Sequence, residues 1–409
     1  MMNRFAILVL LCLGLQACMK RKYADLVVHN AVIHVLDEEN SLGEAMAIKD
    51  GKIVEVGPER QILNKYRWGK SIDAGKRHIY PGLTDASSHI IYAFMETFQQ
   101  PGTDKVDFNA SVKLLQKQLL RYGVVEVHEM GIDSKEFELL KAADAKGILK
   151  LKIYAALNPT EDNYQFAQRF GMYRTQNLVL RGFQFGIEKA SEEDFNQVTT
   201  WAKRCAELNY QLTLLPSSNW KLDELRRELA QLYSINPDHR WRFIHTFDVT
   251  KDFSTILKQN GVYSIVPCQV VADSSFIAQS KPVNKHISVN FQEIISGFGV
   301  FALGLNLNSE VLNPYQNLHT FFSQNQLAIT KAETGETYRL TLDDAIKSVT
   351  IWPQFAAFSE ETRGALTEGM EATFFVAKFP ISNDVSLQSN ASVMTFIRGE
   401  KVFDAQEGY

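Results

Sequence analysis

The sequence predicts an α/β protein, with a (β/α)8 barrel in the middle of the chain and β-strands at both ends. In the middle, short apolar runs alternate with stretches of helical periodicity, and this alternation is typical of parallel β-α units. At both ends, only short strand-like runs and turn residues occur. The chain has 409 residues, 45% of them hydrophobic, which is enough for a barrel of about 250 residues and a second unit.

The terminal segments carry the clearest strand signals. Asp50-Gly51 stands between two apolar runs, and an Asp-Gly pair in that position favours a two-residue hairpin turn. Near the other end, residues 372–377 and 393–397 are strand-like, and Arg398-Gly399 turns into residues 401–403. We therefore expect both ends of the chain to be all-β.

The middle of the chain accommodates about eight strand-and-helix units. The strand candidates are residues 124–127, 151–155, 182–185, 211–215, 241–245, 262–266 and 300–303. The helix candidates are residues 110–121, 135–145, 192–208, 222–232 and 251–259. A doubly wound sheet is the main alternative. Strands at this spacing favour a TIM-type barrel, whose functional site lies at the carboxyl ends of the strands.

Residues 1–18 are predicted to be a lipoprotein signal peptide. Arg4 precedes an apolar run over residues 5–15, which is shorter than the roughly 20 residues of a membrane-spanning helix. The run ends in Leu15-Gln-Ala-Cys18, which resembles a lipobox with Cys18 as the acylated residue. An ordinary signal peptide is the alternative. Acylation of Cys18 would anchor the protein to a lipid bilayer of the bacterial cell envelope, facing the periplasm or the surface.

Charge and cysteine content exclude two classes of protein. The formal net charge is -4 and no basic block occurs, so we expect no nucleic-acid partner. Two of the four cysteines, Cys12 and Cys18, lie in the signal segment. Only Cys205 and Cys268 could pair in the mature protein, so a disulfide framework does not hold the fold together.

Several stretches of sequence, taken in order, resemble those of a known family. They include Ala47–Gly57, Pro81-Gly-Leu-Thr-Asp-Ala86, Tyr122–Gly131 and Gly364-Ala-Leu-Thr-Glu-Gly369. Together they resemble the amidohydrolase superfamily, and most of all its YtcJ-like branch, the amidohydrolase 3 family. The resemblance implies a barrel over residues 81–364 and one composite β-sandwich domain over residues 24–80 and 365–409. It also implies a metal-dependent hydrolase of non-peptide carbon–nitrogen bonds.

The same resemblance assigns the positions that would hold a catalytic metal. The superfamily uses a His-x-His pair after the first strand, a mid-barrel Lys, two further His residues and an Asp after the last strand. In this chain the corresponding residues are Ser87 with His89, Gln184, Leu215, His245 and Asn306. Two imidazoles remain, and Asn306 stands where the catalytic Asp would act as base.

This set of side chains is too small for ordinary zinc hydrolysis. Catalytic zinc usually has three protein ligands, Leu215 cannot coordinate, and the amides of Gln184 and Asn306 bind transition metals weakly. We therefore expect no bound metal and reduced or lost hydrolysis. In this hypothesis the protein is a pseudoenzyme whose barrel mouth binds an unknown small molecule or serves as a scaffold.

Two alternatives keep the protein an enzyme. In the first, His89 and His245 belong to a rewired mononuclear site for zinc or another divalent metal. Its further ligands would be His128, Glu129 or Cys268, where His128 and Glu129 are predicted to close the second strand at the mouth. In the second, His245 or His128 acts as a general base without metal, although no carboxylate partner for either is evident in the sequence.

Overall fold

The computed structural model describes residues 21–91, 94, 107–186, 191–215, 238–245, 262–265, 300–305, 307, 312–325, 329–330, 337–338, 341–382 and 385–407. Within these ranges, no helix combines the length and apolar character that crossing a bilayer requires. The predicted signal peptide and Cys18 lie outside the described residues, as do Cys268, Asn306 and the helix candidates 222–232 and 251–259.

The amino-terminal part of the chain forms seven strands. They are β1 (Lys22–His29), β2 (Val32–His34), β3 (Leu42–Gly43), β4 (Ala45–Lys49), β5 (Lys52–Gly57), β6 (Tyr66–Asp73) and β7 (His78–Pro81). Strands β5, β4, β1 and β6 make one sheet in that order. The predicted hairpin joins β4 to β5, where Asp50 and Gly51 both have positive φ, at 52° and 75°, as the tight turn requires.

A single run of parallel strands forms the middle of the protein. These strands are β8 (Leu83–Ser88), β9 (Val124–Ile132), β10 (Lys152–Leu157), β12 (Leu178–Gly186), β13 (Gln211–Leu215), β14 (Arg242–His245), β15 (Val262–Ile265) and β16 (Phe301–Leu303), while the short β11 (Tyr173–Arg174) pairs with β12. They neighbour one another in chain order, and β16 comes back to lie against β8. A doubly wound sheet would reverse its order at a switch point, so the structure is the nearly closed barrel of the first prediction.

The seam between the first and the last barrel strand depends on Asp85. Its carboxylate accepts hydrogen bonds from the backbone N–H groups of Leu305 at 2.8 Å, Leu307 at 3.4 Å and Ser87 at 3.2 Å. Burial raises the pKa of this carboxyl to about 7, because the three N–H donors only partly offset the lost water. One side chain of β8 therefore holds the chain that follows β16.

The carboxyl-terminal strands join the amino-terminal ones. After the short hairpin β17 (Ile329–Thr330) and β18 (Thr337–Tyr338) come β19 (Phe374–Ala377), β20 (Ser392–Ile397) and β21 (Glu400–Asp404). Strand β19 pairs antiparallel with β7, which gives a sheet with the order β21, β20, β19, β7, β2, β3. Buried side chains from the two terminal sheets, among them Val28, Ile33 and Phe374, belong to one hydrophobic cluster.

The described helices are α1 (Glu59–Lys65), α2 (Phe108–Leu120), α3 (Ser134–Ala145), α4 (Glu161–Phe170), α5 (Glu192–Leu208), α6 (Pro314–Asn325), α7 (Leu342–Ser348) and α8 (Ile351–Ala356). Helices α2 to α6 follow barrel strands. Helix α1 lies between β5 and β6, so the expectation that the amino-terminal end is all-β is wrong there. The predicted helix over residues 192–208 has the bounds of α5. Ser191 begins this helix by accepting a hydrogen bond from the N–H of Asp194, while the Asp194 carboxylate accepts one from the N–H of Ser191.

The terminal sheets and the barrel meet at a tight junction. Strand β7 ends at Pro81, and Gly82 alone separates it from β8. A Cβ atom on Gly82 would lie 2.3 Å from a methyl carbon of Val125, so only glycine lets the chain pass this close to β9. The junction places the first barrel strand in a fixed position beneath the terminal sheet.

Candidate functional site

The residues predicted to surround a metal share one rim of the barrel. His89 directly follows β8, Gln184 lies near the end of β12, and Leu215 and His245 are the last residues of β13 and β14. Parallel strands end at the same rim, and this is the rim where barrel enzymes carry their active sites. The positions that the resemblance assigned and that the structure describes therefore lie at one rim, while the His245 side chain and Asn306 lie outside the described residues.

Of the two histidines at this rim, His89 has its side chain within the described residues. Its side chain is exposed to solvent and hydrogen-bonds to the backbone of Met130 on β9. Part of the ring contacts solvent, but the protein atoms packed around it displace some of its water and lower its pKa, and the bond to Met130 offsets this lowering in part. The imidazole is therefore neutral at neutral pH, which leaves it able to bind a metal or accept a hydrogen bond from a ligand.

Ser87 and Leu215 offer little to a metal. Ser87 is buried, and its backbone N–H is bound to Asp85. Leu215 has an alkyl side chain and is half-buried. At these two positions the described rim therefore lacks a side chain that binds a metal well.

Gln184 occupies the mid-barrel position beside Gly131. A Cβ atom on Gly131 would meet the Gln184 amide at 3.7 Å, so the two residues lie in van der Waals range. The Gln184 side-chain oxygen Oε1 is buried and has no hydrogen-bond partner among the described residues. A buried carbonyl oxygen without a donor costs about 1–3 kcal/mol, so this oxygen is suited to receive an N–H or O–H group from a bound molecule.

His128 does not lie at the mouth, and the expectation that it closes the second strand is wrong. Strand β9 continues to Ile132, which leaves His128 in mid-strand and completely buried. Its Nδ1 accepts a hydrogen bond from Nη1 of Arg242 at 2.8 Å, and its Nε2 lies 3.3 Å from Oε1 of Glu126. Both ring nitrogens are therefore engaged inside the barrel.

Glu126 is the carboxylate partner that sequence reasoning overlooked. It precedes His128 by two residues, and alternate residues of a strand face the same side. The spacing of Glu126 and His128 in the sequence could therefore have indicated that their side chains lie together. Burial alone would raise the pKa of Glu126, but Lys152 at 3.9 Å and Arg363 at 3.6 Å hold it well below its usual range. Burial and the neighbouring Arg242 lower the pKa of His128 to about 4.

Glu129 is also engaged elsewhere. It is buried, and its Oε1 accepts a hydrogen bond from the backbone N–H of Ile91 at 3.1 Å. This hydrogen bond links Glu129 of β9 to the segment that follows His89 and β8.

Two buried cations, Arg242 and Lys152, lie at the amino ends of β14 and β10. Arg242 donates to the carbonyl oxygens of Ala86 at 3.2 Å and Ala356 at 3.0 Å, and its guanidinium lies 4.7 Å from the centre of the Tyr154 ring. Lys152 donates to Ser359 at 2.7 Å. These contacts fasten α8 and the turn after it to the barrel end opposite the mouth, where barrel residues serve stability.

Solved structures show which proteins share this architecture. An adenosine deaminase from Xanthomonas campestris with bound zinc has a TM-score of 0.66 at 15% identity, and 95% of each chain is covered. A metal-dependent hydrolase from Pyrococcus furiosus has a TM-score of 0.65 at 12% identity, covering 85% of this chain and 97% of that one. The chain has the fold of amidohydrolase-type metal-dependent hydrolases. A triazine hydrolase variant gives a TM-score of 0.66 at 12% identity, with 93% and 94% of the chains covered.

Sequence comparison gives only partial matches to this class. The imidazolonepropionase of Brucella abortus is 36% identical over 77 residues, which are 18% of this chain and 19% of that protein. The imidazolonepropionase of Chloroflexus aggregans is 41% identical over 58 residues, 14% of either chain. The matched segments thus span a fifth or less of these curated relatives. No family model matches the chain.

The described side chains do not fit the zinc of these hydrolases. Across the described part of the chain, no three His, Cys, Asp or Glu residues come together in a group that could hold a metal ion. The hypothesis of substitute ligands meets a physical obstacle as well, because His128 binds Arg242 and Glu126 while Glu129 binds the backbone of Ile91. Cys268 lies outside the described residues.

The burial of neutral His128 predicts a pH dependence of stability. The folded protein binds a proton there only near pH 4, whereas the unfolded chain does so near pH 6.5. Between these values the unfolded state binds more protons, so this residue lowers the free energy of unfolding as the pH falls. We expect His128→Gln to lose less free energy of unfolding between pH 7 and pH 5 than the wild type does, as measured by urea denaturation.

His319→Gln is the matched control, because His319 is a partly exposed residue of α6. It should show the wild-type difference between the two pH values. An equal difference in His128→Gln and the wild type would contradict a neutral His128 in the folded protein.

Proposed function

We propose that the protein is a barrel of the amidohydrolase type that binds a small molecule at its mouth, with hydrolysis reduced or lost. The observation that carries this proposal is the chemistry of the described rim. Ser87, Gln184 and Leu215 present a hydroxyl, an amide and an alkyl group at positions where the resemblance implies metal ligands. Such groups can contact a ligand, but they bind a catalytic metal poorly.

The Gln184 Oε1 atom, which has no hydrogen-bond partner among the described residues, indicates what the ligand offers. A buried acceptor is best satisfied by an N–H or O–H donor, and the neutral His89 can accept or donate a second hydrogen bond. The proteins with this fold include a guanine deaminase from E. coli and an L-hydantoinase from Arthrobacter aurescens. By their names, these proteins act on nitrogen-containing rings. We therefore infer that the ligand is a nitrogen heterocycle with a ring N–H group.

A second candidate function is metal-dependent hydrolysis at a rewired site. It is favoured by the retention of His89 and His245 at the ends of β8 and β14, and by the neutral, solvent-exposed ring of His89. The shared fold with zinc-containing hydrolases supports it too. In this proposal His89 and His245 hold a zinc or another divalent ion together with a third group outside the described residues.

We further propose that the protein is a lipoprotein of the bacterial cell envelope. The Leu15-Gln-Ala-Cys18 segment supports acylation of Cys18, and one acyl chain alone gives marginal membrane binding. Lys20-Arg-Lys22 follows after Met19 and would add attraction to anionic lipid. The binding barrel would then be held at a membrane surface.

Ligand binding should depend on Gln184. In isothermal titration calorimetry we expect guanine or hydantoin to bind, and the Gln184→Leu variant to bind about tenfold more weakly, because one hydrogen bond contributes roughly 0.5–1.5 kcal/mol. Gln165→Leu changes an exposed glutamine of α4 and should leave affinity unchanged. The proposed ligand class would be wrong if neither compound bound, or if both bound Gln184→Leu as tightly as the wild type.

Metal content separates the two candidate functions. We expect elemental analysis of the protein, purified without chelator and offered zinc, to find far less than one metal per chain, because the rim offers too few strong ligands. The double variant Ser87→His and Leu215→His should gain zinc. Near-stoichiometric metal in the wild type that disappears in a His89→Ala, His245→Ala double variant would overturn the binding proposal in favour of the hydrolase.

The lipid anchor should be visible by metabolic labelling. In bacteria fed labelled palmitate, we expect the wild-type protein to carry label and to sediment with membranes, because acylation gives it a hydrocarbon chain to insert. Cys18→Ala should lose both properties, and Cys12→Ala should keep them as the matched control. Equal labelling of Cys18→Ala would exclude this lipidation site.

A further inference from the structure

A cleft of about 550 Å³ lies between α2, the turn that follows α3, and strand β21. The turn leads into the amino end of β10, so the cleft lies on the side of the barrel opposite the mouth. Its volume is within the range of small-molecule sites, about 300–1,000 Å³. It takes no part in the site discussed above.

Lysines dominate the lining of this cleft. They are Lys113 and Lys117 of α2, Lys146 and Lys150 of the turn, and Lys401 of β21. All five are exposed, so their ammonium groups can reach a ligand. Apolar side chains, among them Leu120 and Phe403, complete the walls.

The positive charge of the cleft is only partly neutralised. Its two acidic residues, Asp404 and Glu407, both accept from Lys401 at 2.6 Å. Lys113, Lys146 and Lys150 form no ion pair with any carboxylate of the described residues. The charge of these three lysines is therefore available to an anion.

The backbone segments that carry four of the lysines are held in a fixed relation to one another. Gln116 of α2 donates to the carbonyl oxygen of Ile148 at 3.2 Å and accepts from the N–H groups of Lys150 at 2.6 Å and Leu151 at 3.1 Å. The turn is thereby fastened to the helix. Lys113 and Lys117 are four residues apart on α2, and like charges at this spacing destabilise a helix by a few tenths of a kcal/mol. An anion bound between the two ammonium groups would offset their repulsion.

We propose that this lysine cleft binds a phosphate group carried by a ligand with an apolar part. Lysine ammonium groups are compact charges that suit phosphate, and they make short charge-assisted hydrogen bonds to its oxygens. The side of the cleft formed by Leu120 and Phe403 contacts the apolar part of the ligand. The phosphate belongs either to a soluble phosphorylated compound or to a phospholipid head group, since both present the same chemistry.

Pyrophosphate tests the shared chemistry with the full-length chain carrying Cys18→Ala, which removes the lipid anchor as a competing contact with membranes. In isothermal titration calorimetry at low salt, we expect pyrophosphate to bind. The double variant Lys113→Gln and Lys117→Gln should bind it about tenfold more weakly or not at all. The control Lys135→Gln and Lys203→Gln removes the same charge from exposed positions of α3 and α5 and should leave affinity unchanged.

Vesicles identify the source of the phosphate. Sedimentation with phosphatidylglycerol vesicles but not with phosphatidylcholine vesicles, lost in the Lys113→Gln, Lys117→Gln variant and kept in the control, would assign the cleft to a lipid head group. Binding of pyrophosphate without such sedimentation would assign it to a soluble ligand. The proposal is overturned if neither probe binds, or if the control variant loses as much binding as the cleft variant. Circular dichroism checks that both double variants remain folded.

Discussion

The interior of the barrel depends on how it accommodates one buried arginine. Arg242 is completely buried at the start of β14, and no described carboxylate lies within ion-pair distance of it. An isolated cation in such a place would cost many kcal/mol. The guanidinium is tolerated because the carbonyl oxygens of Ala86 and Ala356 and Nδ1 of His128 all accept its hydrogen bonds. Its burial lowers the pKa to about 10 and leaves it charged.

This arrangement fixes the chemistry of its neighbours. His128 must be neutral to accept from Arg242, so its proton lies on Nε2, toward Glu126. Glu126 must be ionised to balance Lys152 and Arg363. Each group thus sets the protonation state of the next, and the charge inside the barrel is distributed over strands β9, β10 and β14 and the segment after α8. At the mouth, the described side chains of Ser87, Gln184 and Leu215 carry no charge, so they can change without leaving a buried charge unpaired.

Sequence patterns predicted the backbone better than the polar interior. The bounds of α5 followed from its helical pattern and from Ser191, whereas the rim positions came from the resemblance to the amidohydrolase superfamily. His128 was misplaced because β9 extends five residues beyond Val127, through a stretch in which Gly131 and the polar residues His128 and Glu129 gave no strand signal. The contacts of Lys152 with Ser359 and of Glu126 with Arg363 join residues more than 200 positions apart along the chain, and no local pattern encodes such pairs.

The pairing of β7 with β19 has a consequence for how the chain is made. The hydroxyl of Tyr80, in β7, accepts a hydrogen bond from the backbone N–H of Ile381, 301 residues later. Strand β19 pairs with one edge of β7. During synthesis the barrel segment must therefore emerge while β7 still presents an open edge, and open edges attract other strands. Sheets closed by such distant partners form slowly. If the proposed signal peptide exports the chain before it folds, both partners would reach the same compartment together, and the open edge of β7 would be exposed to the rest of the cell for a shorter time.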